Sequence, residues 1–261
     1  MQISHQQPGN SLFPEIEWSR PENKALAGNL LIIGGNLHAI SAPVEAFKYT
    51  QQEGAGSIRV FLPEATKKIL PVSLPNIEFA SSNPSGSFSK KATNILAGFV
   101  AASDAVLFCG DLGKNSETAI VLEELAKQPK LMVFTKDSLG YFLHSPSVLL
   151  SRSSTIIVAS LAELQKIAKN SHFDQPFLFE DGQVQLTNKL ASFSSKHEVI
   201  LITERNGVIF LTYKGRVLDT NFKKSFTKWR LELASKVAVW AMQNQNNQFE
   251  ACATAIAKLS S

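Results

Sequence analysis

The sequence predicts an α/β fold, a three-layer α/β/α sandwich with a mostly parallel central sheet and an antiparallel hairpin at one edge. Short apolar runs of strand length alternate along the chain with segments of helical periodicity, which is the pattern of repeated βαβ units. Two of these runs end in glycine turns, at Gly34-Gly35 and at Gly110–Gly113, as buried parallel strands do where they lead into helices. Late in the chain, three short β runs separated by the turn pairs Asn206-Gly207 and Lys214-Gly215 predict the hairpin.

The predicted elements follow from these patterns in chain order. Strands are predicted at 29–33, 58–62, 105–109, 130–134 and 155–159, and the three late β runs at 198–203, 207–213 and 216–219. Helices are predicted at 43–52, 92–102, 117–127, 161–169, 231–243 and 248–259, with a helical turn at 137–142. The polar, proline-containing residues 1–24 predict an irregular arm, and residues 25–261 a single domain, since nothing resembling a linker divides them.

Composition and charge exclude several classes of protein. With 261 residues, 44% hydrophobic and 18% charged, the chain has the composition of a globular domain with its own core. No apolar run reaches the roughly 20 residues that span a bilayer, and no export signal begins the sequence, so we expect a cytoplasmic protein. Cys109 and Cys252 and the five histidines lack metal-ligand spacing, so no metal site is predicted from them; the histidines are interpreted as surface or packing residues. The net charge of +4 favours neither small anions nor nucleic acid.

The order of several short motifs resembles the NAD(P)H-hydrate dehydratase family of the ribokinase-like fold. The motifs are Ile33-Gly34-Gly35-Asn36, Ser41-Ala42-Pro43, Glu53–Gly56, Ser103–Ala105 leading into Gly110–Gly113, the segment around Asp137, and Gln248–Ala251. The resemblance spans residues 25–257, and the ordering is its specific part.

This resemblance implies a site in which ADP or ATP, with or without Mg²⁺, drives the dehydration of hydrated NADH or NADPH. It also implies self-association, because bacterial members tend to be homo-oligomers. The substrate-binding positions implied are Asn36, Ala42, Gly110, Gly113, Ser160 and Glu163. The nucleotide-binding positions implied are Thr203, Asn206, Lys228 and Arg230.

The chain departs from the family where catalysis is expected. Members carry Gly-x-Gly-Asp before the penultimate helix, with glycine N–H groups forming an anion hole and the aspartate acting as a base. This chain has Trp229-Arg230-Leu231-Glu232 instead, which leaves Glu232 as the candidate catalytic carboxylate. Asp111 also places a negative charge in a turn where phosphate would approach.

The sequence therefore predicts a divergent dehydratase-like protein with weakened or lost catalysis that binds a nucleotide or dinucleotide. One alternative is an active ADP- or ATP-dependent dehydratase or kinase-like enzyme that uses Glu232. Another is a non-catalytic module for binding a protein or nucleic acid, because residues 222–230 interleave aromatic and basic side chains. Such alternation is also typical of an amphipathic segment with its aromatics in the core, and nucleic-acid binding is the less favoured interpretation.

Overall fold

A computed structural model of the protein describes residues 2–70, 76–222 and 229–259. Within these residues one ten-stranded sheet has the order β1-β10-β9-β8-β7-β6-β5-β2-β3-β4. The strands are β1 (Gln2–Gln6), β2 (Asn29–Gly34), β3 (Ser57–Pro63), β4 (Ile77–Ala80), β5 (Ala105–Cys109), β6 (Leu131–Thr135), β7 (Thr155–Ala159), β8 (Ile200–Arg205), β9 (Val208–Tyr213) and β10 (Arg216–Asn221). Among them β9 is antiparallel to both of its neighbours, and the other pairs are parallel.

Helices cover both faces of this sheet. They are α1 (Pro14–Trp18), α2 (Ser41–Gln52), α3 (Thr93–Ala102), α4 (Ser116–Ala126), α5 (Asp137–Gly140), α6 (Ser147–Leu150), α7 (Leu161–Asn170), α8 (Gln183–Ser195), α9 (Trp229–Gln243) and α10 (Gln248–Ala257). In the part of the chain that the structure describes, no helix has both the length and the apolar character needed to cross a membrane.

The core consists of two apolar layers, one on each face of the sheet. Successive residues of β2 alternate between them, with Leu30 and Ile32 in one layer and Leu31 and Ile33 in the other, because side chains of a strand point to opposite faces. Helices α9 and α10 belong to the first layer, where Trp240 is 1% exposed. The predicted three-layer architecture is confirmed.

The expectation of an irregular segment at residues 1–24 is wrong for two stretches. Gln2–Gln6 form β1, which pairs in parallel with β10 and lies outside the antiparallel strands, and residues 14–18 form α1. The Gln6 amide donates a hydrogen bond to the Ala253 carbonyl at 2.9 Å, and His5 Nδ1 lies 2.9 Å from an Asp219 carboxylate oxygen. Polar side chains hold this edge strand, so hydrophobic alternation gave no signal for it.

Three further strands or helices were missed. Strand β4, at the other edge of the sheet, and helix α6 have only four residues each, and such short elements carry little pattern. Helix α8 did carry a signal, because Leu186, Leu190 and Phe193 recur at helical spacing and are buried. The strands and helices predicted after residue 24 are confirmed, with ends that differ by at most two residues.

Candidate functional site

The carboxyl ends of the parallel strands form the edge of the sheet at which α/β proteins bind ligands. Strands β2, β5, β6, β7 and β8 end there at Gly34, Cys109, Thr135, Ala159 and Arg205. The residues predicted from the sequence follow several of these ends, and the structure divides them among distinct environments.

The first environment is a set of loops packed against one another after β2 and β5. The Asn36 amide donates to the Asp111 carbonyl at 3.1 Å, and its side-chain oxygen accepts from the His38 N–H at 2.7 Å. Gly110 has a φ of 75°, and a Cβ built on it would lie 2.9 Å from the Ala42 Cβ. Three predicted substrate-binding residues, Asn36, Ala42 and Gly110, therefore make contacts that close the loops onto each other.

The loop after β4 completes this closure over Gly113. A Cβ built on Gly113 would lie 2.0 Å from Ser87 Oγ, and the Leu37 N–H donates to the Gly86 carbonyl at 2.9 Å. The Gly113 N–H, which an anion would otherwise use, donates to the Asp111 carboxylate at 2.8 Å. We call the packed loops of residues 35–42, 86–87 and 110–113 the closed region.

Beside the closed region lies an open cleft of about 560 Å³, between the loops after β5, β6 and β7. Its volume falls within the roughly 300–1,000 Å³ of small-molecule sites. Three lysines line it, Lys114, Lys136 and Lys166, together with Tyr141 and His144. We call this space the lysine cleft. Among the described residues, no carboxylate lies within 4.0 Å of any of the three ammonium groups.

Lys136 has an unusual backbone for a residue with a side chain. Its φ is 54° and its ψ is −136°, in the left-handed half of conformational space that favours glycine. Hydrogen bonds of Ser138 hold this turn. Its buried hydroxyl accepts from the Thr135 N–H at 3.1 Å and donates to the Phe108 carbonyl at 3.0 Å. Strain of this kind costs of order 1–3 kcal/mol and clusters at functional sites.

On the far side of the cleft, Ser160 and Glu163 begin α7 as a capping box. The Ser160 hydroxyl accepts from the Glu163 N–H at 3.3 Å, and the Ser160 N–H donates to the Glu163 carboxylate at 2.7 Å. Arg230, near the start of α9, donates through Nη1 to both carboxylate oxygens, at 2.8 and 2.7 Å. A predicted substrate-binding residue and a predicted nucleotide-binding residue thus form one ion pair.

Two of the remaining predicted nucleotide-binding residues, Thr203 and Asn206, lie in β8 and in the turn that follows it. Thr203 is 1% exposed, and its hydroxyl has no hydrogen-bond partner among the described residues. Asn206 is exposed in the tight turn with a φ of 52°, and the Glu204 carboxylate accepts from the Gly207 N–H at 2.8 Å. Lys228 and most of the aromatic and basic segment at 222–230 lie outside the described residues.

Glu232 faces α2 rather than Glu163. Its carboxylate lies 3.9 Å from the ammonium of Lys236, which is 2.5 Å from the carboxylate of Glu53 at the end of α2. Burial raises the pKa of Glu232, the charge of Lys236 lowers it, and the charge of Glu53 raises it further. Residues two positions apart in a helix are rotated by about 200° around its axis, so the side chains of Arg230 and Glu232 point in nearly opposite directions. The catalytic role of Glu232 stays a prediction.

The lysines and Tyr141 of the lysine cleft were missed from the sequence, whereas Gly113 and Glu163, predicted as substrate-binding residues, line the same cleft. Lys136 directly follows β6 and Lys166 lies in the second turn of α7, so their positions after strand ends were a usable signal. His144, interpreted from the sequence as a surface or packing residue, lines the same cleft. Within residues 2–70, 76–222 and 229–259, no three His, Cys, Asp or Glu side chains are grouped so that they could hold a metal ion.

Comparison with known proteins supports the fold. No protein-family model matches the chain, and no curated protein matches it. Among solved structures, a ribokinase-like superfamily protein from Enterococcus faecalis is similar with a TM-score of 0.72 and 15% identity, over 98% of this chain and 86% of that one. A hypothetical protein from Streptococcus mutans has a TM-score of 0.70 and 16% identity, over 92% and 84%.

An ADP/ATP-dependent NAD(P)H-hydrate dehydratase from Bacillus subtilis, co-crystallised with ATP and Mg²⁺, is also similar. Its TM-score is 0.62 with 10% identity, and the match covers 92% of this chain and 84% of that one. The chain therefore has a ribokinase-like fold, as predicted, and its structural relatives include proteins that act on or with nucleotides. At these identities the likeness shows the fold alone, and membership of the dehydratase family stays a prediction.

Proposed function

We propose that this protein is a divergent relative of the NAD(P)H-hydrate dehydratases that binds a nucleotide or dinucleotide and has weak dehydratase turnover or none. The observation that carries the proposal is the lysine cleft at the carboxyl ends of β5, β6 and β7, whose three ammonium groups have no carboxylate partner among the described residues. Unpaired lysines at this edge of an α/β sheet are suited to phosphate.

Weak catalysis is proposed because the chain lacks the groups that the related reaction requires. Both glycines of the anion hole are replaced in Trp229–Glu232, and losing one such donor typically costs about 100-fold to 1,000-fold in rate. Glu232, the carboxylate in register, contacts Lys236 on the side of α9 that faces α2. Glu232 does not line the cleft, so it would not be positioned beside a substrate held there.

The lysine cleft fits the phosphates of ADP or ATP better than it fits a metal ion. Glu163 is paired with Arg230, and among the described residues no three His, Cys, Asp or Glu side chains are grouped so that they could hold a metal ion. A nucleotide would bring Mg²⁺, if any, on its own phosphates. We therefore propose no magnesium site built by the protein itself.

Thermal unfolding with ADP, ATP, NADH and hydrated NADH tests the binding. A ligand at about 100 times its Kd adds ~2.7 kcal/mol to the stability of the folded protein, so binding raises the midpoint. An unchanged midpoint with all four ligands would contradict the proposal. A matched titration with adenosine, which lacks phosphate, should give no shift.

An active enzyme that uses Glu232 is the second candidate, and the raised pKa of this carboxyl group favours it. A carboxyl group with a raised pKa is suited to act as a general acid or base near neutral pH. Turnover of hydrated NADPH by the wild type but not by Glu232→Gln would support this candidate. Equal inactivity of the two proteins, both with nucleotide bound, would support the non-catalytic binder.

A further inference from the structure

We propose that Lys136, Lys166 and Lys114 form an anion subsite that holds the diphosphate group of a small-molecule ligand. This inference rests on the proposed function and deepens it, because it assigns the phosphate contacts to residues that sequence motifs did not indicate. Lys136 follows β6, Lys166 projects from α7, and Lys114 follows β5, so three separate loops bring positive charge to one cleft.

The charges around these lysines leave the cleft positive. Four acidic or basic neighbours face it besides the lysines: Asp111, Asp137, Glu163 and His144. The Asp111 carboxylate accepts from the Gly113 N–H, and the Glu163 carboxylate is bound by Arg230. Asp137, exposed at the start of α5, has no partner of its own among the described residues. The three lysines and Arg230 thus stand against three carboxylates, an excess of one positive charge that favours an anion.

The backbone of Lys136 gives the subsite its fixed point. Its left-handed φ of 54° is held by the Ser138 hydroxyl beneath the turn and by the end of β6. A glycine would adopt this conformation without strain, yet the position carries a long cationic side chain that makes no ion pair with the described residues. The fixed backbone therefore sets where the Lys136 side chain leaves the turn beside the cleft.

The other wall of the cleft suits the remainder of the ligand. Tyr141 is half-buried, and its hydroxyl donates to the Gly113 carbonyl, so the ring is held at the border of the closed region. Leu143 lies beside it on the same wall. An aromatic ring with a neighbouring apolar side chain offers a surface on which a planar group can pack while its phosphates reach the lysines.

Calorimetric titration with inorganic pyrophosphate, and separately with ADP, tests the subsite at low ionic strength, where exposed charges are least screened. We expect Lys136→Ala and Lys166→Ala each to raise the Kd for both probes by about tenfold or more, because each removes a charged hydrogen-bond donor. Lys169→Ala is the matched control, since Lys169 is an exposed lysine of the same helix α7 outside the cleft, and its Kd should stay within about twofold of the wild type.

Three results decide the inference. No heat of binding with pyrophosphate, or an effect of Lys169→Ala equal to that of Lys166→Ala, overturns it. Binding of ADP that is indifferent to Lys136 and Lys166 also overturns it, but leaves the proposed nucleotide binding intact. Lysine-dependent pyrophosphate binding without any response to nucleotides or dinucleotides supports the subsite and refutes the proposed function. Because Lys166 is exposed on a regular helix, its variant stays informative even if Lys136→Ala misfolds.

Discussion

The closed region and the lysine cleft lie at the same edge of the sheet, but the loops pack together in the first and stand apart in the second. After β2 and β5, the loops approach so closely that a Cβ on Gly110 would lie 2.9 Å from the Ala42 Cβ, and one on Gly113 would lie 2.0 Å from Ser87 Oγ. After β6 and β7, the loops stand apart around about 560 Å³ and present lysines. Glycine turns at strand ends therefore serve packing in the closed region. At the lysine cleft, the corresponding left-handed backbone is adopted by Lys136, which borders the open space.

The close packing next to the closed region is tested most severely at Gly34, the last residue of β2. A Cβ there would lie 2.0 Å from the Cys109 carbonyl oxygen, which belongs to the backbone of the neighbouring strand and cannot rotate away. We expect Gly34→Ala to destabilise the fold by about 3 kcal/mol or more, as overpacking against a rigid neighbour does. Chemical denaturation measures the change.

Gly98 provides the matched control for this prediction. It lies within α3, and a Cβ built on it has nothing within 4 Å. Gly98→Ala should raise stability by about 0.5–1 kcal/mol through helix propensity. Equal effects of the two alanines would show that the close approach at Gly34 is relaxed in solution.

Lys136→Gly separates the two roles of an unusual backbone at the lysine cleft. Glycine relieves the strain at a φ of 54° but adds conformational entropy to the unfolded chain, so we expect a net gain of about 1 kcal/mol and a midpoint about 2–4 °C higher. The same change removes the ammonium group and should weaken pyrophosphate binding by about tenfold. A variant that is more stable and still binds as the wild type does would separate Lys136 from the ligand.

The central strands and the helices between them were predictable because burial on both faces gives long apolar runs, as in β5 and β7. Strand β1 was not, because its partners are polar contacts such as the one between Gln6 and Ala253. Local sequence patterns cannot show which distant backbone groups a polar edge strand will meet.

The sequence allowed us to predict at which edge of the sheet the candidate site lies, but not which residues form it. The motif at Gly110–Gly113 was found, yet nothing in it indicates that Gly113 packs against Ser87 of the loop after β4. The ion pair between Glu163 and Arg230 joins residues 67 positions apart, and nothing in either local sequence indicates it. Lys136 was the accessible clue, since a lysine directly after a buried strand is placed at the ligand edge.

Ser160 tests whether the far wall of the cleft is built for structure or for ligand. Its hydroxyl caps α7, and its N–H binds the Glu163 carboxylate, so Ser160→Ala should cost about 1 kcal/mol of stability and leave pyrophosphate affinity unchanged. Ser160→Thr, which retains the hydroxyl that accepts from the Glu163 N–H and donates to its carboxylate, should recover most of that loss. If Ser160→Ala instead weakens binding while the midpoint stays constant, the hydroxyl contacts the ligand, as the resemblance implies.

The smallest effect on stability is expected at Glu232, which lies in neither the closed region nor the lysine cleft. Burial raises its pKa in the folded protein above the ordinary value of 4.5, so stability falls as the pH rises from 4.5 towards the folded pKa, and the full loss is present above the folded pKa. Glu232→Gln removes that cost and should raise the midpoint slightly at pH 7, with the gain disappearing below pH 4.5, where the carboxyl group is protonated in both states. Unfolding scans across this pH range measure the difference. A loss of stability at pH 7 would show that the contact with Lys236 outweighs burial.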